Sequence, residues 1–192
     1  MIYLCSASTS RASLLDEFDI EYEQKSVEFD ESSVKTDDAR EFVYLASKGK
    51  LEAARKKYGV TTPILTVDSL IYLDDGQILK KPKSQEQALE MLQMQSGSKI
   101  SIVSSLHFQS RDLLFVDTSV AHYQFFKFDF DDLQAYIQSR DWQGKTGGCM
   151  VEGFCKKYIK SFEGLESTAR GLQVEILLPW IELAIKGSSG AI

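Results

Sequence analysis

The chain is poor in the residues from which many common sites are built. Its 192 residues include three cysteines, Cys5, Cys149 and Cys155, and no two stand in C-x-x-C spacing. That speaks against a disulfide framework and against a zinc site. Cys5, in an apolar run, reads as a small buried hydrophobe. The two histidines, His107 and His122, lack acidic or cysteine neighbours at ligand spacing and read as packing or surface residues in strands. Three prolines, Pro63, Pro82 and Pro179, each fall near a predicted element boundary, and no Gly/Ser/Pro-rich linker or repeat interrupts the chain. No apolar run approaches the ~20 residues that a membrane span requires. The N-terminus carries no basic region leading into an apolar stretch, so cytoplasmic retention without a membrane partner is expected. Positive charge is also scarce. With 22 Lys and Arg against 28 Asp and Glu, the net charge of −6 argues against a broad nucleic-acid-binding face.

What is present is an ordinary globular composition, 43% hydrophobic and 26% charged, with enough chain for one substantial core or two joined lobes. The basic residues gather locally, at Lys80, Lys81 and Lys83 and again at Lys156, Lys157 and Lys160. Each group is a solvated face or a seat for a small anion.

Periodicity predicts a strand near 2–5, a helix near 10–18, a long helix from Thr36 to Lys57 and a strand from Ile64 to Leu73. A third helix opens at Ser84 with a box-like Ser84–Gln87 start and stops at Gly97. Ile100 to Phe108 and Leu113 to Phe125 alternate as a hairpin, followed by helices over 129–139 and 175–186. Helices interleaved with strands indicate an α/β fold with a mixed sheet.

The densest signal lies between Leu4 and Leu15. A short strand runs into Ser6, Ser8 and Ser10, then Arg11, then a helical face of Leu14, Leu15 and Phe18. Unpaired N–H groups at a helix start favour an anion, and hydroxyls and a guanidinium add donors suited to phosphate. The same turn could equally be an ordinary helix cap. Asp68 is the second signal. It sits inside an apolar strand between Val67 and Ser69, where a carboxylate must be paired, bind a metal or face a cleft as a general base. Third, Pro82 biases Lys81 towards an extended backbone, aiming its ammonium. Fourth, Gly147 and Gly148 permit close backbone approach, with Glu152 a few residues on.

In order along the chain, these segments resemble the Maf family of nucleotide pyrophosphatases, once named for inhibiting septum formation. The family opening L-A-S-x-S-P-R-R-x-x-L-L is matched from Leu4 to Leu15 apart from Cys5, Thr9 and Ser10. A-D-T-V is similar to Val67–Leu70, G-K-P to Lys80–Pro82, and a helix ending L-S-G to Ala88–Gly97. K-A-G-G-Y-x-x-Q-G is similar to Lys145–Gly153, and a late glycine-bearing segment survives partly around Gly164 and Gly171. The resemblance implies a mostly parallel mixed sheet flanked by helices with a long hairpin, in a Maf/inosine-triphosphatase-like architecture. It implies one domain over 1–186, of two lobes around a cleft, with a flexible tail at 187–192.

The implied activity is hydrolysis of a nucleoside triphosphate to the monophosphate and pyrophosphate, which cleans the nucleotide pool. The alternative is a nucleotide-binding regulator of cell division with little turnover. By carry-over, Asp68 activates water, Arg11 and Lys81 hold phosphates, Ser6, Ser8 and Ser69 line the substrate site, and Glu31 with Asp68 places Mg²⁺ or Mn²⁺. The family's long-helix lysine corresponds to Lys48 or Lys50. A homodimer is implied. Glu152 stands where the pyrimidine-selective branch has Gln. Its carboxylate only accepts, which suits the N–H donors of guanine, unless it merely pairs with Lys145 or Lys156.

Overall fold

A computed structural model describes residues 1–189. The chain divides into two compact units. The first comprises residues 1–68, 104–119 and 171 onward, and the second comprises 69–103 and 120–170. Among the described residues, seven strands form a mixed sheet in the order 22–24, 2–4, 64–73, 99–109, 114–125 and 159–163, with 78–79 also paired to 64–73.

In the first unit, β1 (Ile2–Leu4) pairs in parallel with β2 (Tyr22–Gln24) and with the start of β3 (Ile64–Leu73). β3 is buried almost throughout, which its near-continuous apolar run allows in a strand covered on both faces. Helix α1 (Thr9–Glu17) is capped by Ser8, whose side chain accepts from the Arg11 N–H. It buries Leu14 and Leu15 against Leu4, Val67 and Phe108, together with Leu177 and Ile181 of α6 (Val174–Ser189). Helix α2 (Ala39–Tyr58) begins later than its periodicity suggests. Asp38 is the cap, accepting from the Glu41 N–H at 2.7 Å, while Thr36 lies outside and donates its hydroxyl to Glu41. An Asp-x-x-Glu start outcompetes the earlier threonine.

In the second unit, β4 (Ile78–Leu79) pairs antiparallel with β3, and β7 (Ile159–Glu163) pairs antiparallel with β6 (Leu114–Phe125). β5 (Lys99–Gln109) precedes β6 as the expected long hairpin. Helix α3 (Gln85–Gln95) is capped by Ser84, which accepts from the Gln87 N–H. The Gln87 side chain, however, accepts from the Lys83 N–H, one residue beyond the standard box. Helix α4 (Phe130–Ser139) packs Leu133, Tyr136 and Ile137 with Leu92, Phe125 and Trp142. A short α5 (Glu166–Ala169) completes this unit.

Two expectations need amendment, and four short elements went unpredicted. Pro179 lies inside α6 rather than at an element boundary. The last helix extends to Ser189, so the tail expected at 187–192 falls partly within α6, and residues 190–192 lie outside the described residues. Finally, β2, β4, β7 and α5 are too short to carry a periodic signal.

His107 is a core residue, 2% exposed. The Ser47 hydroxyl donates to the Tyr44 carbonyl, so its oxygen is left to accept from His107 Nδ1 at 2.9 Å. Burial, aided by Lys48, pulls the imidazole down to about 4. An unfolded histidine titrates near 6.5, so the neutral ring stabilises the fold above that pH, and the contribution is lost as pH falls towards 4. Allowing for partial screening, the loss amounts to about 2 kcal/mol. Urea unfolding of the wild type between pH 7 and pH 4 should therefore lose about 2 kcal/mol more than that of His107→Leu. Parallel pH profiles for the two would refute the assignment.

Candidate active site

The loop after β1 is wired to its own helix. Ser6 Oγ accepts from the Ser8 N–H at 3.2 Å and from Arg11 Nη1 at 2.9 Å, leaving its proton to donate elsewhere. Arg11 Nε donates to the Gly171 carbonyl at 2.8 Å, and the residue is 7% exposed. Burial draws the guanidinium below its usual range, while Asp68 and Glu31 oppose that drift. A cation so deep needs nearby negative charge, and the chain supplies it.

Asp68, 6% exposed on β3, lies 2.5 Å from Lys50 Nζ through Oδ1. The same ammonium reaches Glu31 Oε1 at 2.7 Å. Lys50 of α2 is thus the lysine that meets the two carboxylates, and Lys48 instead acts on His107. Burial is the largest influence on Asp68 and lifts its carboxyl above the ordinary range. Lys50 opposes the lift, Glu31 adds to it, and Arg11 opposes it.

Glu31 is delivered by packing. It opens a 3-10 turn, Glu31–Ser33, whose Asp30 cap accepts from the Ser32 N–H at 2.9 Å. Phe29 immediately before it presses on α2 at Gly49: a Cβ there would sit 2.2 Å from the Phe29 ring. Glycine in a helix interior costs about 1 kcal/mol against alanine. Here it opens the notch beside Lys50 that admits the Glu31 segment. A lone glycine mid-helix is the sequence signal for this contact.

The second unit holds the other candidates. Lys81 is exposed just beyond β4, beside buried Pro82. The neighbouring Lys80 carbonyl accepts from the Gly147 N–H at 2.9 Å. Gly147 and Gly148 both have positive φ, and a Cβ on Gly147 would meet Ile71 at 2.9 Å. Glycine is required there for conformation and for space. Gln95, fully buried, donates to the Gly147 carbonyl at 2.8 Å, and the Tyr136 hydroxyl donates to that of Gly148 at 2.9 Å. The Ser69 carbonyl accepts from the Thr146 hydroxyl at 3.5 Å. Glu152 pairs with Lys145 at 3.8 Å, both partly exposed. The structure therefore joins Ser6, Ser8 and Arg11 in one network and Glu31, Asp68 and Lys50 in another. It sets Ser69 and Glu152 around the 145–153 loop.

Among the described residues, no group of three or more His, Cys, Asp or Glu side chains converges as a metal cage. Two carboxylates already gathered around one cation do fit a hard divalent ion that takes its remaining oxygens from phosphate and water.

A family model described as Maf-like protein matches residues 1–183. The chain belongs to that family. It is 46% identical over 179 residues to a nucleoside triphosphate pyrophosphatase of a Nitratiruptor species, covering 92% of this chain and 96% of that one. It is 40% identical to one of Helicobacter pylori, over 96% of this chain and 97% of that one. Identity is 32% to one of Campylobacter jejuni, over 94% of this chain and all of that one. Among solved structures it is similar to the Ham1 protein of Staphylococcus aureus, with a TM-score of 0.44 and 16% identity, over 65% of this chain and 71% of that chain. Within this Maf-like chain, the buried amide of Gln95 anchors the glycine turn.

Two stability measurements probe the site. Lys50→Met strands a buried carboxylate beside a second one, so urea unfolding at pH 7 should show a loss of about 3 kcal/mol. Adding Asp68→Asn should restore most of it; no restoration would mean that Lys50 acts only by packing. Gly49→Ala alone should destabilise, yet in a Phe29→Ala background the same change should stabilise by about 1 kcal/mol. Equal effects in both backgrounds would show that Phe29 does not occupy the notch.

Proposed function

We propose that this protein hydrolyses a nucleoside triphosphate to the monophosphate and pyrophosphate. The observation that carries the reading is the buried Asp68 carboxylate, held against Lys50 with Glu31 on the same ammonium and Arg11 nearby. A carboxyl lifted above its ordinary range is a better proton acceptor than an exposed aspartate. Asp68 takes a proton from water, the resulting oxygen attacks a phosphorus of the triphosphate chain, and pyrophosphate leaves. Arg11 and Lys81 offset the charge that develops on the phosphates, and the Ser6, Ser8 and Ser69 segments line them. Glu31 and Asp68 would hold Mg²⁺ or Mn²⁺, which when bound would neutralise phosphate charge. The relatives named nucleoside triphosphate pyrophosphatase support the reaction class. Scavenging of the cytoplasmic nucleotide pool by a homodimer is the setting this reading assigns.

For the base, Glu152 accepts hydrogen bonds and cannot donate them, so it favours the N1–H and N2–H₂ edge of a guanine-type base over uracil or thymine. Lys145 at 3.8 Å orients that carboxylate.

Pyrophosphate release from GTP, 7-methyl-GTP, UTP and dTTP with Mg²⁺ or Mn²⁺ tests both statements. Asp68→Asn should lower kcat by about 10²–10⁴-fold while nucleotide still binds. Glu152→Gln should move the preference from guanine-type towards pyrimidine bases by about 10²-fold. Binding without release from any substrate would favour a regulator instead.

A further inference from the structure

The three cysteines differ sharply in their surroundings. Cys5 is buried in an apolar cluster with Leu51, Ala54 and Ile64, and burial pushes its thiol up to about 11. Cys149 and Cys155, in the second unit, meet each other instead, Sγ to Sγ at 3.5 Å. Cys149 is partly exposed and Cys155 is fully buried. Their spacing of six residues is not that of a redox motif, and only folding brings them into contact.

The segment between them is already a closed turn. The Met150 carbonyl accepts from the Gly153 N–H at 3.1 Å and from the Cys155 N–H at 3.0 Å. Phe154 stacks on Tyr136 with centroids 4.4 Å apart and planes 5° apart, which fixes the Cys155 end. The other end follows the glycine turn that Gln95 and Tyr136 hold. Glu152 lies inside this ring, facing Lys145.

We propose that Cys149 and Cys155 are a reversible disulfide site oxidised by peroxides, and that closing the bond displaces Glu152 and slows nucleotide turnover. Cys149, the less buried residue of the pair, attacks the peroxide O–O bond as its thiolate, giving a sulfenic acid, and the proton it gave up leaves with the expelled hydroxide as water. Cys155 then attacks that sulfur and expels a second water, its thiol proton leaving with the hydroxyl. Both sulfurs are oxidised by one electron each, and the peroxide takes up both electrons. Contact with Cys155 and burial hold the Cys149 thiol well above its ordinary range, so the pair answers sustained rather than brief exposure. Bond formation draws the sulfurs from 3.5 Å to about 2.05 Å. In a turn anchored at both ends, that approach must be absorbed by the residues between, and Glu152 is one of them. The bond itself stands on the geometry alone, whereas the effect on turnover rests on the function proposed above.

The test treats the folded wild-type protein with hydrogen peroxide and reads intact mass, peptide map and kinetics. The expected result is loss of the mass of two hydrogens, a single peptide linking Cys149 to Cys155, and a free Cys5, all reversed by dithiothreitol. kcat/KM should fall about tenfold in step with the cross-link. Cys155→Ala and Cys149→Ala should each abolish the cross-link and the reversible loss. Oxygen addition at Cys149 with Cys155 still a free thiol, or no reaction short of unfolding, overturns the site. A cross-link that leaves kcat and KM unchanged in an active enzyme overturns the coupling. An enzyme inactive before oxidation refutes the proposed function and leaves the mass result to decide the bond.

Discussion

One ammonium organises the first unit. Lys50 Nζ stands between Asp68, buried in the sheet, and Glu31, brought in from a surface turn. A carboxylate at the Asp68 position is untenable in isolation, because transfer of a charge out of water costs more than any nearby dipole returns. Its neighbours follow from that constraint: Lys50 must reach in from α2, and Arg11 must be buried close enough to feel the same charge. Arg11 in turn bonds the Ser6 hydroxyl and the Gly171 carbonyl. The apolar strand, the hydroxyl turn and the start of the final segment are thereby linked through charge as well as through packing.

The price of that arrangement is visible in α2. A glycine at position 49 weakens a helix, and no local benefit offsets it there. Its role becomes clear only through Phe29, whose ring fills the space a side chain would take. Access of Glu31 to Lys50 is therefore set by the absence of a methyl group one residue away along the helix. In the second unit the logic is similar. Gly147 is held between Lys80, Gln95 and Ile71, and the turn it makes presents Lys145 to Glu152.

Most of the long elements could be read from the chain, because α2, β3, α3 and the β5–β6 hairpin each carry a sustained period. The candidate site was legible to a similar degree: Asp68 stood out as a charge inside an apolar strand, and the turn before α1 as a cluster of donors. Lys48 and Lys50 could not be separated by pattern. Two residues apart on a helix, they point to different faces, and only the fold shows that one meets Asp68 while the other approaches His107. Pro179 misled for the opposite reason, since proline marks boundaries in most chains, yet here it lies within a helix that packs on the core. The Cys149–Cys155 contact was invisible because no sequence rule ties residues six apart in a turn.

Gln95 shows how a polar residue at the end of a buried helix acquires meaning through its surroundings. An apolar residue at that helix end would fill the core and nothing more. An amide in the same fully buried place needs partners, and its Nε2 finds the carbonyls of Met91 and Gly147, while its Oε1 is buried without a hydrogen bond among the described residues. The bond to Gly147 couples α3 to the loop that bears both Glu152 and Cys149. Tyr136 makes the equivalent bond to Gly148 from α4 and stacks on Phe154 at the far end of the loop. A loop fixed at its start by two buried side-chain donors and at its end by a stacked ring has little freedom except in between. Glu152 occupies that middle, so small displacements imposed at either cysteine are concentrated on the carboxylate proposed to read the base.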